Sequence, residues 1–341
     1  MMSLVLDEHG VFLGKRGRSL YVKTPDGTKS RRSTYNLNEV VVTCRCTISS
    51  SAIRLLAQNG IPVVYVSRGK PYALLHPFFN HGTVHTRREQ LAAFRDSRGI
   101  HLAKRFVQGA MVNKERLLKY LGGNREDTSP NEAARLSKIA GRINELVEKL
   151  DKDWDTLSTA RNQLMGIEAR AAKYYFKGLQ LIVPDEFNFE ARERRPAKDP
   201  VNSMLSYGYA VLYSRALIAI AACGLEPFAG FLHTDRSGKP SLVLDMVEEF
   251  RQVAVDRTII RLITHQQVEP DSFHLEGGAV MMDDETRRTL LRELLEGMNG
   301  EVRCEGNKKR KLNRVIMRQS RKLVRFLIGK SNTYEPYEFR W

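Results

Sequence analysis

The pattern of apolar residues changes once along the chain, and this change constrains the fold more than any other feature. In residues 1–87 the apolar residues form short β-type runs, namely SLVL, GVFLG, SLYVK, EVVVT, IPVVYVS and YALL. From residue 88 onward the spacing is that of long helices, and strand-type runs become rare. A chain of 341 residues suits two domains. We therefore predict a multi-domain α+β protein, with a small β-rich domain over 1–87 and a larger all-α domain over 88–341.

Capping residues mark the boundaries of three helices. Ser129-Pro130, with Glu132 in the first turn, predicts a helix start, and Asp199-Pro200 repeats the pattern before a helix expected to end at Cys223-Gly224. In the β-rich domain, SSSAIRLLAQNG predicts one helix that ends at Asn59-Gly60.

The charge balance favours a polyanionic partner. Lys and Arg number 55 against 39 Asp and Glu, a formal net charge of +16. Ten of the basic residues lie between 308 and 330, where four arginines spaced by four, three and four residues form a stripe: Arg314, Arg318, Arg321 and Arg325. A basic amphipathic helix can also bind acidic lipid, but we favour DNA phosphates. Further candidate DNA contacts are Arg194 and Arg195, in the basic run ERRPAKD, and Lys239.

The sequence shows no pattern of a secretory signal, a membrane-spanning helix, a structural zinc site or a disulfide framework. No apolar run approaches the ~20 residues of a spanning helix, and the N-terminus MMSLVLDEHG lacks a secretory pattern, so we expect a soluble, cytoplasmic protein without membrane association. The four cysteines include the C-x-C pair Cys44 and Cys46, which matches no paired zinc spacing. We expect neither structural zinc nor disulfides.

An acidic pair lies on a helix predicted from Ser241, which we expect to be its cap. The apolar stripe of this helix is formed by Val243, Met246, Val247, Phe250 and Ala254, and Asp245 and Glu248 lie opposite it. Their carboxylates share a face and repel each other weakly, which a cation would relieve. On this helix alone, a solvated acidic face is the favoured interpretation.

Glu168 is less ordinary, because it lies on the apolar face of the helix predicted over 157–179. An unpaired carboxylate there would cost several kcal/mol, so it needs a cation or a raised pKa. A buried salt bridge to an arginine and a metal site completed by His233 and an acidic residue of the later helix are equally favoured by spacing alone.

If Glu168, His233 and Glu248 form one site, its single imidazole and two carboxylates suit Mg²⁺ or Mn²⁺ better than zinc. A hard divalent ion in a basic protein suggests transesterification or hydrolysis of DNA phosphodiesters. His81 and His85 have helical spacing but lack the glutamate of a zinc-protease motif, and no phosphate-binding glycine loop occurs, so neither zinc proteolysis nor nucleotide hydrolysis is indicated.

Several segments together resemble one family. GIEARAAKYYF, RRPAKDPVNSMLSYGYAVLY, LEPFAGFLHTDRSGKPSLVLDMVEEFRQVAVDR, YEPYEFRW and ISSSAIRLLAQNGIPVVYV resemble, in order and spacing, the Cas1 family of CRISPR-associated integrase-endonucleases that capture spacers. The resemblance spans nearly the whole chain. Gln252 departs from the proline that relatives often have after EEFR, which allows this helix to continue.

The resemblance implies a dimerising β-rich domain and an α-helical catalytic domain. It also implies one Mg²⁺ or Mn²⁺ ion held by Glu168, His233 and Glu248, with Asp245 as an additional acidic residue that assists the site. The implied activity joins the 3′-hydroxyl of a captured DNA fragment to a CRISPR repeat, or cleaves branched DNA. The implied partners are double-stranded and branched DNA, a second copy of the chain, and the small Cas2 protein that bridges two dimers. The alternatives are a metal-dependent, structure-specific repair nuclease and a non-catalytic DNA-binding scaffold.

Overall fold

The computed structural model describes residues 2–35, 37–67, 70–77, 83–193, 196–304, 306 and 308–340. The chain divides into two compact units, Met1–His81 and Gly82–Trp341. The boundary expected after residue 87 falls inside α2 (Thr83–Ala93), whose first residues, TVHTRR, show no apolar periodicity. The combination of a β-rich N-terminal unit with a predominantly helical second unit confirms the predicted fold class.

In its described residues, the N-terminal unit contains two four-stranded sheets and one helix. One sheet has the order β1-β5-β7-β8 and the other β4-β3-β2-β6, and residues of both contribute to one buried core. The first sheet is parallel except for the β7–β8 pair. The elements are β1 (Met2–Leu6), β2 (Phe12–Arg16), β3 (Ser19–Lys23), β4 (Lys29–Ser33), β5 (Leu37–Val42), β6 (Thr47–Ile48), α1 (Ser50–Gln58), β7 (Val63–Ser67) and β8 (Lys70–Leu75).

The capping residues identified in the sequence act largely as predicted. Ser49 accepts a hydrogen bond from the backbone of Ala52 at the start of α1, and Gly60 has the positive φ of 68° that ends this helix. The Asp199 carboxylate accepts from the backbone N–H of Asn202, which caps α6. Ser129 lies at the start of α4, but its side chain makes no capping bond.

The helical unit also contains two small hairpins, β9–β10 and β11–β12. Its helices α3, α4 and α5 pack against one another. The remaining elements are α3 (Ser97–Gly123), α4 (Pro130–Glu148), α5 (Leu157–Gln180), α6 (Pro200–Ala222), α7 (Ser241–Val247), α8 (Arg257–Thr264), β9 (Phe273–Glu276), β10 (Ala279–Met282), α9 (Asp284–Asn299), β11 (Glu301–Arg303), β12 (Lys309–Lys311) and α10 (Leu312–Leu327).

Helix α6 is the one described helix that is long and apolar enough to cross a membrane, so the expectation that no apolar stretch reaches this length was wrong. However, 72% of its most apolar window is buried inside the molecule, as expected for a core helix of a globular protein. Its central position allows it to pack against α7, α9 and α10.

The segment between α7 and α8 is irregular. Instead of one continuous helix from Ser241, the chain forms α7, a turn, one turn of π-helix at Gln252–Asp256, and then α8. Pro240 rather than Ser241 occupies the N-cap position, and Ser241 is the first helical residue. Its hydroxyl donates to the carbonyl of Thr234, so it joins the helix to the preceding loop. The predicted apolar stripe is buried throughout.

Candidate active site

A loop preceding α7 is folded around the carboxylate of Asp245. Oδ2 accepts from the backbone N–H groups of Phe231 and Leu232, at 2.6 and 3.0 Å, and Oδ1 accepts from the backbone N–H of His233 at 2.9 Å. Nδ1 of His233 lies 2.7 Å from the same Oδ1. A carboxylate partner at Nδ1 places the proton there and leaves the lone pair on Nε2. Asp245 therefore sets both the loop conformation and the tautomer of His233.

Two further residues hold this loop. A Cβ added to Gly230 would lie 2.7 Å from Ser241 and 2.9 Å from Oδ2 of Asp245, so only glycine permits this close approach. From α5, Arg161 donates to the carbonyls of Phe231 and Gly230, at 2.5 and 3.2 Å. Arg161 thereby ties the His233 loop to the helix that carries Glu168.

Glu168 forms an ion pair with a lysine. Its Oε1 lies 2.8 Å from Nζ of Lys114 on α3, and the two side chains are 25% and 4% exposed, respectively. Of the two interpretations left open by the spacing, the structure therefore contains a salt bridge, although the partner is a lysine rather than an arginine. The carboxylate is turned toward the interior, but it is only partly buried.

Glu248 is buried, as is Asp245, so the interpretation of the pair as a solvated acidic face was wrong. The loop at Phe231–His233 covers Asp245, and Arg251 lies 2.7 Å from Oε1 of Glu248. The second oxygen, Oε2 of Glu248, is buried and has no hydrogen-bond partner within the described structure. A buried carboxylate oxygen without a donor is costly, so Oε2 of Glu248 calls for an explanation.

Glu248 and Glu168 both act on the charge of Arg251. Burial lowers the pKa of Arg251, but the neighbouring acidic groups, with Glu248 contributing most and Glu168 less, outweigh burial and raise the pKa. The guanidinium group of Arg251 lies over the ring of Tyr209, with Cζ 4.9 Å from the ring centroid. Over the described ranges, however, no three His, Cys, Asp or Glu side chains are gathered closely enough to hold a metal ion. The structure thus joins His233 to Asp245, Glu168 to Lys114 and Glu248 to Arg251, without closing one coordination shell.

Asp256, which the sequence analysis did not identify, is a further buried acid of this region. Its oxygens accept from the hydroxyls of Tyr175 and Tyr209, at 2.7 and 2.8 Å. Burial raises the pKa of Asp256 to about 6, although these two hydrogen bonds and the charges of Arg251 and Lys114 act in the opposite direction.

Glu249 was also missed, and it anchors the C-terminal segment (residues 331–340). Its buried carboxylate accepts from the Tyr334 hydroxyl at 2.5 Å, the Tyr337 backbone N–H at 2.7 Å and the Gln319 amide at 3.1 Å. Asn113 on α3 donates to the carbonyls of Glu249 and Tyr337, both at 2.8 Å. The C-terminal segment is therefore hydrogen-bonded to Glu249, the residue that follows Glu248 in the chain.

Some of these residues had a detectable sequence signal. Arg161 lies seven residues before Glu168, which places both on one face of α5. Lys114 and Asn113 interrupt the apolar positions of α3, but their partners lie far away in the sequence. No local pattern distinguishes Glu249 from an ordinary surface acid.

The proposed basic residues fall into three groups. On α10, Arg314, Arg321 and Arg325 are exposed and Arg318 is partly buried, while the opposite residues Leu312, Ile316, Leu323 and Phe326 are buried as predicted. Lys239 lies at the end of the turn after His233, where its N–H bonds the Arg236 carbonyl. Arg194 and Arg195 lie outside the described residues, as does His81, whereas His85 is exposed on α2.

Comparisons with known proteins agree with this architecture. The family model for CRISPR associated protein Cas1 matches residues 4–296. A CRISPR-associated endonuclease Cas1 of Archaeoglobus fulgidus is 36% identical, with both chains fully covered. Another from Chlorobaculum tepidum is 31% identical over 99% of this chain and 98% of the relative.

Solved structures match over the full length as well. A casposase bound to its integration product superposes with a TM-score of 0.83 and 25% identity, covering 100% of this chain and 95% of the casposase. A CAS1 protein from Thermotoga maritima shares the fold, with a TM-score of 0.79, 22% identity, and coverage of 99% and 100%. With the family model matching most of its length and relatives above 30% identity from end to end, the chain belongs to the Cas1 family of CRISPR-associated proteins.

Proposed function

We propose that this protein is a divalent-metal-dependent DNA integrase and endonuclease of CRISPR adaptation. In this role it joins the 3′-hydroxyl of a captured DNA fragment to a CRISPR repeat by transesterification. Relatives with full-length similarity are named endonucleases, and the casposase in the matching structure is bound to an integration product. Two observations carry the proposal: Oε2 of Glu248 is buried without a hydrogen-bond partner in the described structure, and Asp245, three residues earlier in the chain, orients the His233 ring.

The residues present fit a hard divalent cation. Oε2 of Glu248 has no donor, Nε2 of His233 carries a lone pair because Asp245 engages Nδ1, and Glu168 adds a second carboxylate. One imidazole and two carboxylates without thiolate suit Mg²⁺ or Mn²⁺. Glu168, His233 and Glu248 are thus the proposed ligands. When bound, such an ion polarises a phosphoryl oxygen and lowers the pKa of an attacking hydroxyl or water.

The surrounding side chains orient the proposed ligands His233 and Glu248. Asp245 and Arg161 position His233, and Arg251 holds one oxygen of Glu248 so that the other keeps a defined direction. We assign Asp245 a positioning role, since both of its oxygens are occupied by the His233 loop.

The proposed reaction conserves phosphodiester bonds. The 3′-oxygen of the fragment bonds to a phosphorus of the repeat, the bond from that phosphorus to the adjacent 3′-oxygen breaks, and the departing oxygen takes up a proton. Because one phosphodiester replaces another, no nucleotide cofactor is needed. With water as the nucleophile, the same arrangement cleaves DNA.

The proposed setting is the cytoplasm, with three partners. We propose that the β-rich unit mediates a homodimer and that Cas2 bridges two such dimers; one chain of a solved Cas6-RT-Cas1–Cas2 complex contains this fold over 36% of its length. Double-stranded and branched DNA are the proposed substrates, in keeping with the net charge of +16.

An integration assay tests the proposal. A labelled duplex with a free 3′-hydroxyl is incubated with a supercoiled repeat-bearing plasmid, with and without Cas2, in Mn²⁺, Mg²⁺ or chelator. We expect joined product in either metal and none in chelator. Cutting without joining, even with Cas2, would support a repair nuclease instead, and binding without either reaction would support a scaffold.

The arginine stripe on α10 is the proposed phosphate-binding surface. We expect Arg314→Gln/Arg321→Gln to weaken DNA binding and to reduce the slope of log Kd against log salt by about one to two. Fluorescence anisotropy at several salt concentrations measures this slope. A matched control is Arg135→Gln/Lys138→Gln, which removes two exposed charges from α4; equal slopes for the two double variants would contradict the assignment.

A further inference from the structure

Lys114 is an unusual neighbour for a proposed metal ligand. Its ammonium lies 2.8 Å from Oε1 of Glu168, and its side chain is only 4% exposed. The lysine reaches this position from α3, which packs against α5. Water screens the two charges poorly at this site, so their attraction is stronger than in an exposed surface pair.

A metal ion at Glu168 would meet this ammonium. Two cations that share one carboxylate at a partly buried site repel each other strongly, because screening by solvent is incomplete there. A carboxylate whose charge is already compensated binds a divalent ion less tightly. Metal binding therefore has to displace Lys114 or to share Glu168 with it.

A displaced Lys114 has another anion nearby. Asp256 is buried and lies within the electrostatic reach of Lys114. Its present donors are the neutral hydroxyls of Tyr175 and Tyr209. An ammonium displaced from Glu168 would therefore still be attracted by a second buried acid, although the charge of Arg251 also acts on that acid.

We infer, on the basis of the proposed function, that Lys114 is an internal counter-cation that competes with the divalent metal for Glu168. In the free protein this competition weakens metal binding, and the Lys114–Glu168 pair stabilises the fold while no metal is present. Removing the charge of Lys114 should therefore raise the affinity for the metal and lower the stability of the metal-free protein.

The test is a Mn²⁺ titration of the full-length protein, in which electron paramagnetic resonance measures the free ion. We expect Lys114→Met to bind Mn²⁺ about tenfold more tightly than wild type, since one repelling charge is removed. Lys114→Arg should resemble wild type. The matched control, Lys119→Met, removes a 61% exposed charge from the same helix and should leave the affinity unchanged.

A second readout uses no metal. In chelator, Lys114→Met should unfold at a lower temperature than wild type. Saturating Mn²⁺ should raise the melting temperature of Lys114→Met by more than it raises that of wild type. If the methionine variant does not fold, Lys114→Gln serves instead, because it keeps a donor for Glu168 but no charge.

Unchanged or weaker Mn²⁺ binding by the uncharged variants would overturn the inference. If Glu168→Gln still abolished Mn²⁺ binding in that case, the proposed metal site would stand and only the competition would be wrong. If wild type and all Lys114 variants failed to bind Mn²⁺, the proposed site and the inference would both fall.

Discussion

His233→Ala is expected to abolish metal-dependent joining and cleavage while DNA binding remains within a factor of about two of wild type. Removing a partner that orients a metal-bound histidine typically costs about 10- to 100-fold, so loss of the ligand itself should cost at least about 10²-fold. The side chain is 18% exposed and lies in a loop, so its truncation opens no core cavity. Single-turnover joining assays and anisotropy titrations measure the two effects.

Asp245→Asn is expected to reduce the same activities by less than His233→Ala does. The amide nitrogen would face backbone N–H donors of the loop, so His233 would be misoriented, and we expect an intermediate loss of about 10- to 100-fold. Circular dichroism melting identifies variants that fail simply because they unfold. Full joining activity in folded His233→Ala would show that this histidine is not a ligand.

Glu249→Ala should produce the largest loss of stability among the single substitutions considered. The change leaves the Tyr334 hydroxyl, the Tyr337 backbone N–H and the Gln319 amide near an emptied, buried position. Stranded buried donors cost about 1–3 kcal/mol each before relaxation, so we expect the free energy of unfolding to fall by about 3 kcal/mol or more. Urea denaturation monitored by circular dichroism measures the change.

The matched control lies in the same C-terminal segment. Glu338 pairs with Arg116 at 2.7 Å, and both side chains are more than one quarter exposed. Glu338→Gln should therefore change stability by only about 0–1 kcal/mol. If the Glu249 and Glu338 variants had the same unfolding midpoint, the C-terminal segment would not be anchored through Glu249.

Elements with a strong local pattern were predictable from the sequence. The β-type runs became β1, β2, β3, β5, β7 and β8, and Asp199-Pro200 marks the start of α6. Strand β4, KSRRS, was missed because it lies at the edge of its sheet and consists only of polar residues. The β9–β10 hairpin has a usable signal in Gly277 and Gly278, both with positive φ at the turn, but its short strands lie within a helical region.

The acidic residues of the site were less predictable than the helices that carry them. The apolar stripe of α7 was identified, but the burial of Asp245 depends on a loop that folds back over it. Glu168 was singled out because it interrupts an apolar face, whereas its partner Lys114 lies 54 residues earlier. Sequence periodicity reports which way a side chain points, and only the tertiary fold determines which charges meet there.

The most direct test of the central claim is a crystal structure of the protein soaked in Mn²⁺, with anomalous diffraction used to locate the ion. We expect one anomalous peak within about 2.0–2.4 Å of Nε2 of His233, Oε2 of Glu248 and an oxygen of Glu168. A peak elsewhere, or none at saturating Mn²⁺ with Oε2 of Glu248 still without a partner, would contradict this expectation.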